Sequence, residues 1–167
     1  MEKEIKLKPI GPIYTPYKNT PGIPIQGRFK KEATGRIEIF PEYQRGLKDV
    51  AGFSHLTLIY YFDRSKTESL VSIPYLESQQ RGIFAIRSPH RPNHLGFSVV
   101  RVQKVEGSTI TFLEVDMLDQ TPLLDIKPYV TYFASRPGAK NGWLTRHLGK
   151  RNLSKRKNAG RGFVLES

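Results

Sequence analysis

Cysteine is absent from this 167-residue chain, which rules out disulfides and thiolate metal sites and fits a cytoplasmic location. No apolar run approaches the roughly 20 residues that a bilayer-spanning helix needs, and the charged N-terminus leads into no signal-peptide core. No membrane partner is therefore expected. No G-x-G-x-x-G follows a strand-like stretch, and no phosphate-loop motif occurs. Long amphipathic helices between strands are missing too, which argues against a parallel α/β sheet. Internal repeats are absent. Acidic residues are scarce near the end: residues 126–167 hold 10 Lys/Arg and only Glu166, against 17 Lys/Arg and 14 Asp/Glu in residues 1–125. Most of the net charge of +12 thus lies in the last quarter. Such asymmetry points to a polyanion, nucleic acid before membrane, with a solubilising tail as the plainer alternative.

What is present suits one domain with its own core. Leu7 to Tyr14 reads as a strand, residues 15–27 as a loop braced by Pro16, Pro21 and Pro24, and Thr34 to Phe40 as a second strand. Pro41 opens a short helix, with Tyr43, Leu47 and Val50 at helical spacing and an end near Gly52. His55 to Phe62 is apolar enough for burial on both faces, with His55 as a hydrogen-bonded structural histidine. Residues 65–81 read as a flexible connection. Leu95–Val105 and Thr109–Val115 form a hairpin across Glu106-Gly107-Ser108. Trp143 to Lys150 reads as a short helix, and 151–162 as a basic, mobile tail. Short strands at close spacing favour an all-β, mostly antiparallel, closed or nearly closed barrel.

Residues Gly82 to Val100 read G-I-F-A-I-R-S-P-H-R-P-N-H-L-G-F-S-V-V. An apolar strand, Ile83 to Ile86, and a second, Phe97 to Val100, flank a loop that Pro89 and Pro92 keep out of the helical region. That loop carries Arg87, His90, Arg91, Asn93 and His94. A stiff loop with two guanidinium forks suits a carboxylate or phosphate, and a basic surface connection fits the residue types equally well. His90 and His94 lack the i, i+4 helical spacing of zinc motifs, so no metal is expected.

This string closely resembles the signature of the TrmO-like (TsaA/YaeB) S-adenosylmethionine-dependent tRNA methyltransferases, G-V-F-A-T-R-S-P-x-R-P-N-P-I-G-x-S-V-V. It departs at Ile86, where threonine is usual, and at His94, where proline is common. Three further segments resemble the family in order, over residues 8 to 135: P-G-I-P-I-Q-G, F-S-H entering a strand, and D-M-L-D-Q-T-P. Gln120 replaces the glycine of the usual D-G-T-P; a positive φ there would cost glutamine about 1 kcal/mol. Asp63-Arg64 stands where His-Gln is common.

The resemblance implies a homodimer of barrels spanning residues 5–135, followed by a basic extension over 136–167. It implies S-adenosylmethionine as cofactor, and as acceptor N6 of threonylcarbamoyl-adenosine at tRNA position 37, beside the anticodon. Cofactor residues carried over are Gln26, Asp63, Arg64, Arg87, Phe97, Leu113, Glu114, Val115 and Asp116. Arg87 suits the methionine carboxylate, Phe97 and Leu113 cover adenine, and backbone groups at Glu114 and Val115 read its edge. Asp116 is expected to end a strand and to be functional, whereas Asp125 is expected to cap backbone N–H groups. Asp116 and His90 are the candidate proton acceptors. Arg91, Asn93, Lys155, Arg156 and Lys157 are expected on RNA. The alternative is a non-catalytic barrel that binds RNA or the cofactor.

Overall fold

A computed structural model of the chain describes residues 4–75 and 77–148. Its strands are β1 (Gly11–Tyr14), β2 (Thr34–Glu38), β3 (His55–Tyr61), β4 (Val71–Ser72), β5 (Arg81–Gly82), β6 (Leu95–Glu106), β7 (Thr109–Leu113) and β8 (Thr121–Pro128). The described residues part into two compact units, one built from 4–63 with 95–129, the other from 64–94 with 130–148.

The first unit is the expected antiparallel barrel, closed in the order β1-β2-β7-β6-β3-β8 with β8 returning to β1. Alternation builds it. In β2, Gly35 and Ile37 point inward while Thr34 and Arg36 point out; in β7, Ile110 and Phe112 point inward. Ile13, Leu56, Leu58, Val100 and Leu123 complete the interior. Thr57 is buried as well, so β3 is covered on both faces over residues 56–58, as its composition suggests. At Gly96 a Cβ would stand 2.1 Å from the Tyr60 ring, so that large inward side chain requires a glycine opposite.

β8 forms although T-P-L-L-D-I-K-P carries two prolines. Pro122 faces Pro12 of β1, a pair that neither residue could close with an N–H, and Pro128 ends the strand. Between them Leu123 is fully buried and its carbonyl accepts from Ile10 N–H at 2.7 Å. The first strand is shorter than Leu7–Tyr14: Leu7 lies outside β1 and is exposed. The helix expected over 41–52 is two 3-10 segments, Pro41–Leu47 and Val50–Gly52, split by Asp49 at φ +67°. The 106–108 turn is as expected, with Gly107 at φ +55°.

In the second unit β4 pairs with β5, so 65–81 is more than a connection. The expected strand Ile83–Ile86 is instead a 3-10 turn over Ile83–Ala85. The apolar run does not mean a doubly buried strand: Ile83 is buried, but Phe84 is 78% exposed. One α-helical turn, α1, spans Thr131–Ala134, and Gly142–Arg146 is 3-10. Among the described residues no helix is long and apolar enough to cross a membrane.

Candidate functional site

The barrel carries one tightly built constellation. Asp116 lies in the loop between β7 and β8, not at a strand end, since β7 stops at Leu113. Its Oδ2 accepts the Gly27 N–H at 3.0 Å, and its Oδ1 accepts the Ser98 hydroxyl at 2.6 Å. With its proton so used, Ser98 Oγ accepts from the Tyr60 hydroxyl at 3.0 Å. A line of hydrogen bonds thus runs from β3 through β6 to the P-I-Q-G loop. Gly27 comes so close that a Cβ would lie 1.7 Å from the Glu114 carbonyl oxygen. Glu114 itself turns the chain at φ +69°. Gln26, Glu114, Val115 and Asp116 are therefore brought together, Val115 by its backbone because its side chain is fully buried.

The same unit has an open groove of about 610 Å³, lined by Tyr14, Thr15, Lys18, Arg36, Thr111 and Gln120 among others but by no member of that constellation. The Arg36 guanidinium sits 4.8 Å over the Tyr14 ring. Asp119 also lines the groove, accepts the Thr15 N–H at 2.9 Å and pairs with Lys18. Burial alone would raise this carboxyl, but the Lys18 and Thr15 hydrogen bonds outweigh it and hold it below its ordinary value. Asp119 thus caps a backbone N–H across the barrel, and Asp125 caps one beside it, as expected. Asp125 lies inside β8, accepts the neighbouring Ile126 N–H at 2.9 Å and pairs with Lys127 at 2.9 Å.

The proline-braced loop belongs to the second unit. Ser88 is buried, Arg87 and Asn93 are exposed, and Arg91 donates to the Ile86 carbonyl at 3.2 Å. His90 Nδ1 lies 2.9 Å from the Ser65 hydroxyl and 3.0 Å from that of Thr67. Burial, chiefly, lowers its pKa. Asn93 and His94 both adopt positive φ, +64° and +47°. Proline could not take the His94 conformation, so this departure from the motif goes with a different backbone path. Among the described residues no cluster of three or more metal-ligating side chains occurs.

Of the other residues expected at the site, Asp63 closes the first unit and is exposed, and exposed Arg64 opens the second. Phe97 is half-exposed and stands opposite Ile59, whereas Leu113 stands opposite Arg101. Four residues of β6 separate those registers, roughly 13 Å along the strand. Lys155, Arg156 and Lys157, like the rest of the tail from residue 149, lie outside the described residues. Sequence reasoning missed Ser98, Gly27 and Asp119. Ser98 and Gly27 sit inside the quoted motifs, but only the register shows what they hold. Within the barrel unit, the Gln26 carboxamide, the Asp116 carboxylate and the Phe97 ring are a set that fits a nucleoside bearing a positive centre.

The family model described as the tRNA-methyltransferase O N-terminal domain matches residues 12–135. A protein of Pyrococcus abyssi named "Probable S-adenosyl-L-methionine-binding protein" is 45% identical over 161 residues, 96% of this chain and 86% of that one. A mouse tRNA (adenine(37)-N6)-methyltransferase is 37% identical over 103 residues, 60% of this chain but 24% of the mouse protein. The crystal structure of TrmO from Pseudomonas aeruginosa superposes with a TM-score of 0.73 at 32% identity, over 86% of this chain and 62% of that one. The chain therefore spans less than two thirds of that solved protein.

Proposed function

The chain belongs to the tRNA-methyltransferase O N-terminal domain family, and from that premise we propose that it is an S-adenosylmethionine-dependent methyltransferase acting on tRNA, with N6 of threonylcarbamoyl-adenosine at position 37 as acceptor. The observation that carries the reading is the docking of the P-I-Q-G loop onto Glu114–Asp116 through Gly27 and Asp116. It unites two segments, far apart in sequence, that the family motif marks for the cofactor. The bound cofactor would supply a sulfonium-activated methyl group and its own leaving group. The protein's task is then to bind, orient and exclude water. Arg87 holds the carboxylate, Gln26 and the backbone at Glu114 and Val115 hold the nucleoside, and Asp63, Arg64 and Phe97 complete the cofactor contacts. Arg91, Asn93 and the basic tail hold RNA. Asp116, its two oxygens bonded to Ser98 and Gly27, serves as a positioning residue. The protein works as a homodimer in the cytoplasm.

The test is nucleoside mass spectrometry of tRNA incubated with the protein and S-adenosylmethionine, beside calorimetry of cofactor binding. A methylated threonylcarbamoyl-adenosine is expected. Cofactor binding without any methylated nucleoside would establish the non-catalytic alternative. Arg87→Ala should weaken cofactor binding by about 2 kcal/mol.

A further inference from the structure

In the second unit, Glu77 has a side chain only 6% exposed, and such a carboxylate requires partners. It accepts from Arg146 Nε at 2.9 Å and Nη2 at 2.5 Å, and lies 2.8 Å from His147 Nε2. Arg81 Nη2 reaches its other oxygen at 3.4 Å. Two of these three partners come from Gly142–Leu148, beyond the 12–135 stretch that matches the family domain. The same segment carries the chain's sole tryptophan, Trp143. Its indole N–H donates to the Ala85 carbonyl at 2.8 Å, and Arg81 lies 5.6 Å over its ring. Ala85 is the last residue of the 3-10 turn that leads, through Ile86, to Arg87. That turn is pinned at its start by Ile83 N–H on the Leu70 carbonyl at 2.9 Å. Trp143 fastens its far end.

We propose that residues 142–148 are a positioning element for cofactor binding, in which Glu77 anchors the segment and Trp143 fixes the turn that aims Arg87. The proposal rests on the reading of Arg87 as the carboxylate ligand. It assigns a role in the site to residues outside the matched domain. A guanidinium on an exposed turn binds a carboxylate bidentately only if the turn is held, because ordering it on binding would consume affinity.

The experiment uses the full chain, reading Trp143 fluorescence and S-adenosylmethionine affinity by calorimetry. In the unsubstituted protein the cofactor should change Trp143 emission, and Arg87→Ala should abolish that change. Glu77→Gln should shift Trp143 emission to the red, increase its quenching by acrylamide and weaken cofactor binding about tenfold. Trp143→Phe keeps an aromatic ring but loses the N–H, and should weaken binding about fivefold with a nearly unchanged melting temperature. If Glu77→Gln does not fold, Trp143→Phe decides alone. Should Arg87→Ala weaken binding while both other variants stay within about twofold of the parent, the positioning role is wrong and the Arg87 reading stands. Unchanged affinity in Arg87→Ala would instead overturn the reading of Arg87, and the inference with it.

Discussion

Gln120 adopts φ +62°, the conformation that glycine would take freely at the position where the family motif carries glycine. Here an L-residue stands in the left-handed region. Gln120→Gly should relieve about 1 kcal/mol of that strain, offset in part by loss of the Gln120 side-chain hydrogen bond to Asp119, with the net read as the shift in denaturation midpoint at unchanged m-value. One position earlier, Asp119 is the residue that sequence reasoning underrated. Three aspartates in one turn-rich stretch look alike until the partner at Thr15, 104 residues away, is known. Asp119→Ala should cost about 2 kcal/mol, since it leaves a buried N–H unpaired. Its carboxyl pKa is depressed in the fold, so its contribution is present in full above the ordinary carboxylate value of the unfolded chain. It is lost as pH falls through the folded value. Acid unfolding of Asp119→Asn should therefore be less steep than that of the parent.

Elements were legible where alternation is strict, as in β2 and β7, and illegible where a partner strand or its absence decides. The apolar run at Ile83–Ile86 has strand composition, yet β5 ends at Gly82 and the chain coils. β8 has the composition of a loop, yet Pro12 and Pro122 oppose one another where no N–H is needed. The docking of the loop at residues 24–27 was legible as a motif but not as a contact. Gly27 gives it a sharp test, because any Cβ there meets backbone rather than a yielding side chain. Gly27→Ala should push the loop off Glu114 and reduce S-adenosylmethionine affinity by at least about tenfold by calorimetry. The barrel's strand signature in circular dichroism should persist, because Gly27 lies outside every strand. On the His90 loop, burial depresses the imidazole pKa, so its contribution to stability is complete above about 6.5 and lost as pH falls through the folded value. Protection of amides 65–69 in hydrogen exchange should fall across that window, and less so in His90→Gln.

The whole molecule pairs a barrel close to charge balance with a C-terminal stretch that is almost wholly basic. That contrast was legible from composition alone, because charge needs no register to be counted. It also separates the proposed cofactor site from tRNA binding. Gln26, Glu114 and Asp116 belong to the former in the proposed reading, whereas lysines and arginines on phosphates add strength to RNA binding without choosing a base. Deleting residues 151–167 removes Arg151, Lys155, Arg156, Lys157 and Arg161 against a single acid, Glu166. Each phosphate that the tail no longer neutralises should flatten the slope of log affinity against log salt by about 0.7 to 0.9. The truncated protein should therefore bind tRNA more weakly at low salt and converge on the parent as salt rises. Its affinity for S-adenosylmethionine should be unchanged, and light scattering should still give twice the monomer mass, since neither property is assigned to the tail. Equal slopes for the two proteins would make the tail a solubilising segment and leave tRNA binding to the residues around Arg91 and Asn93.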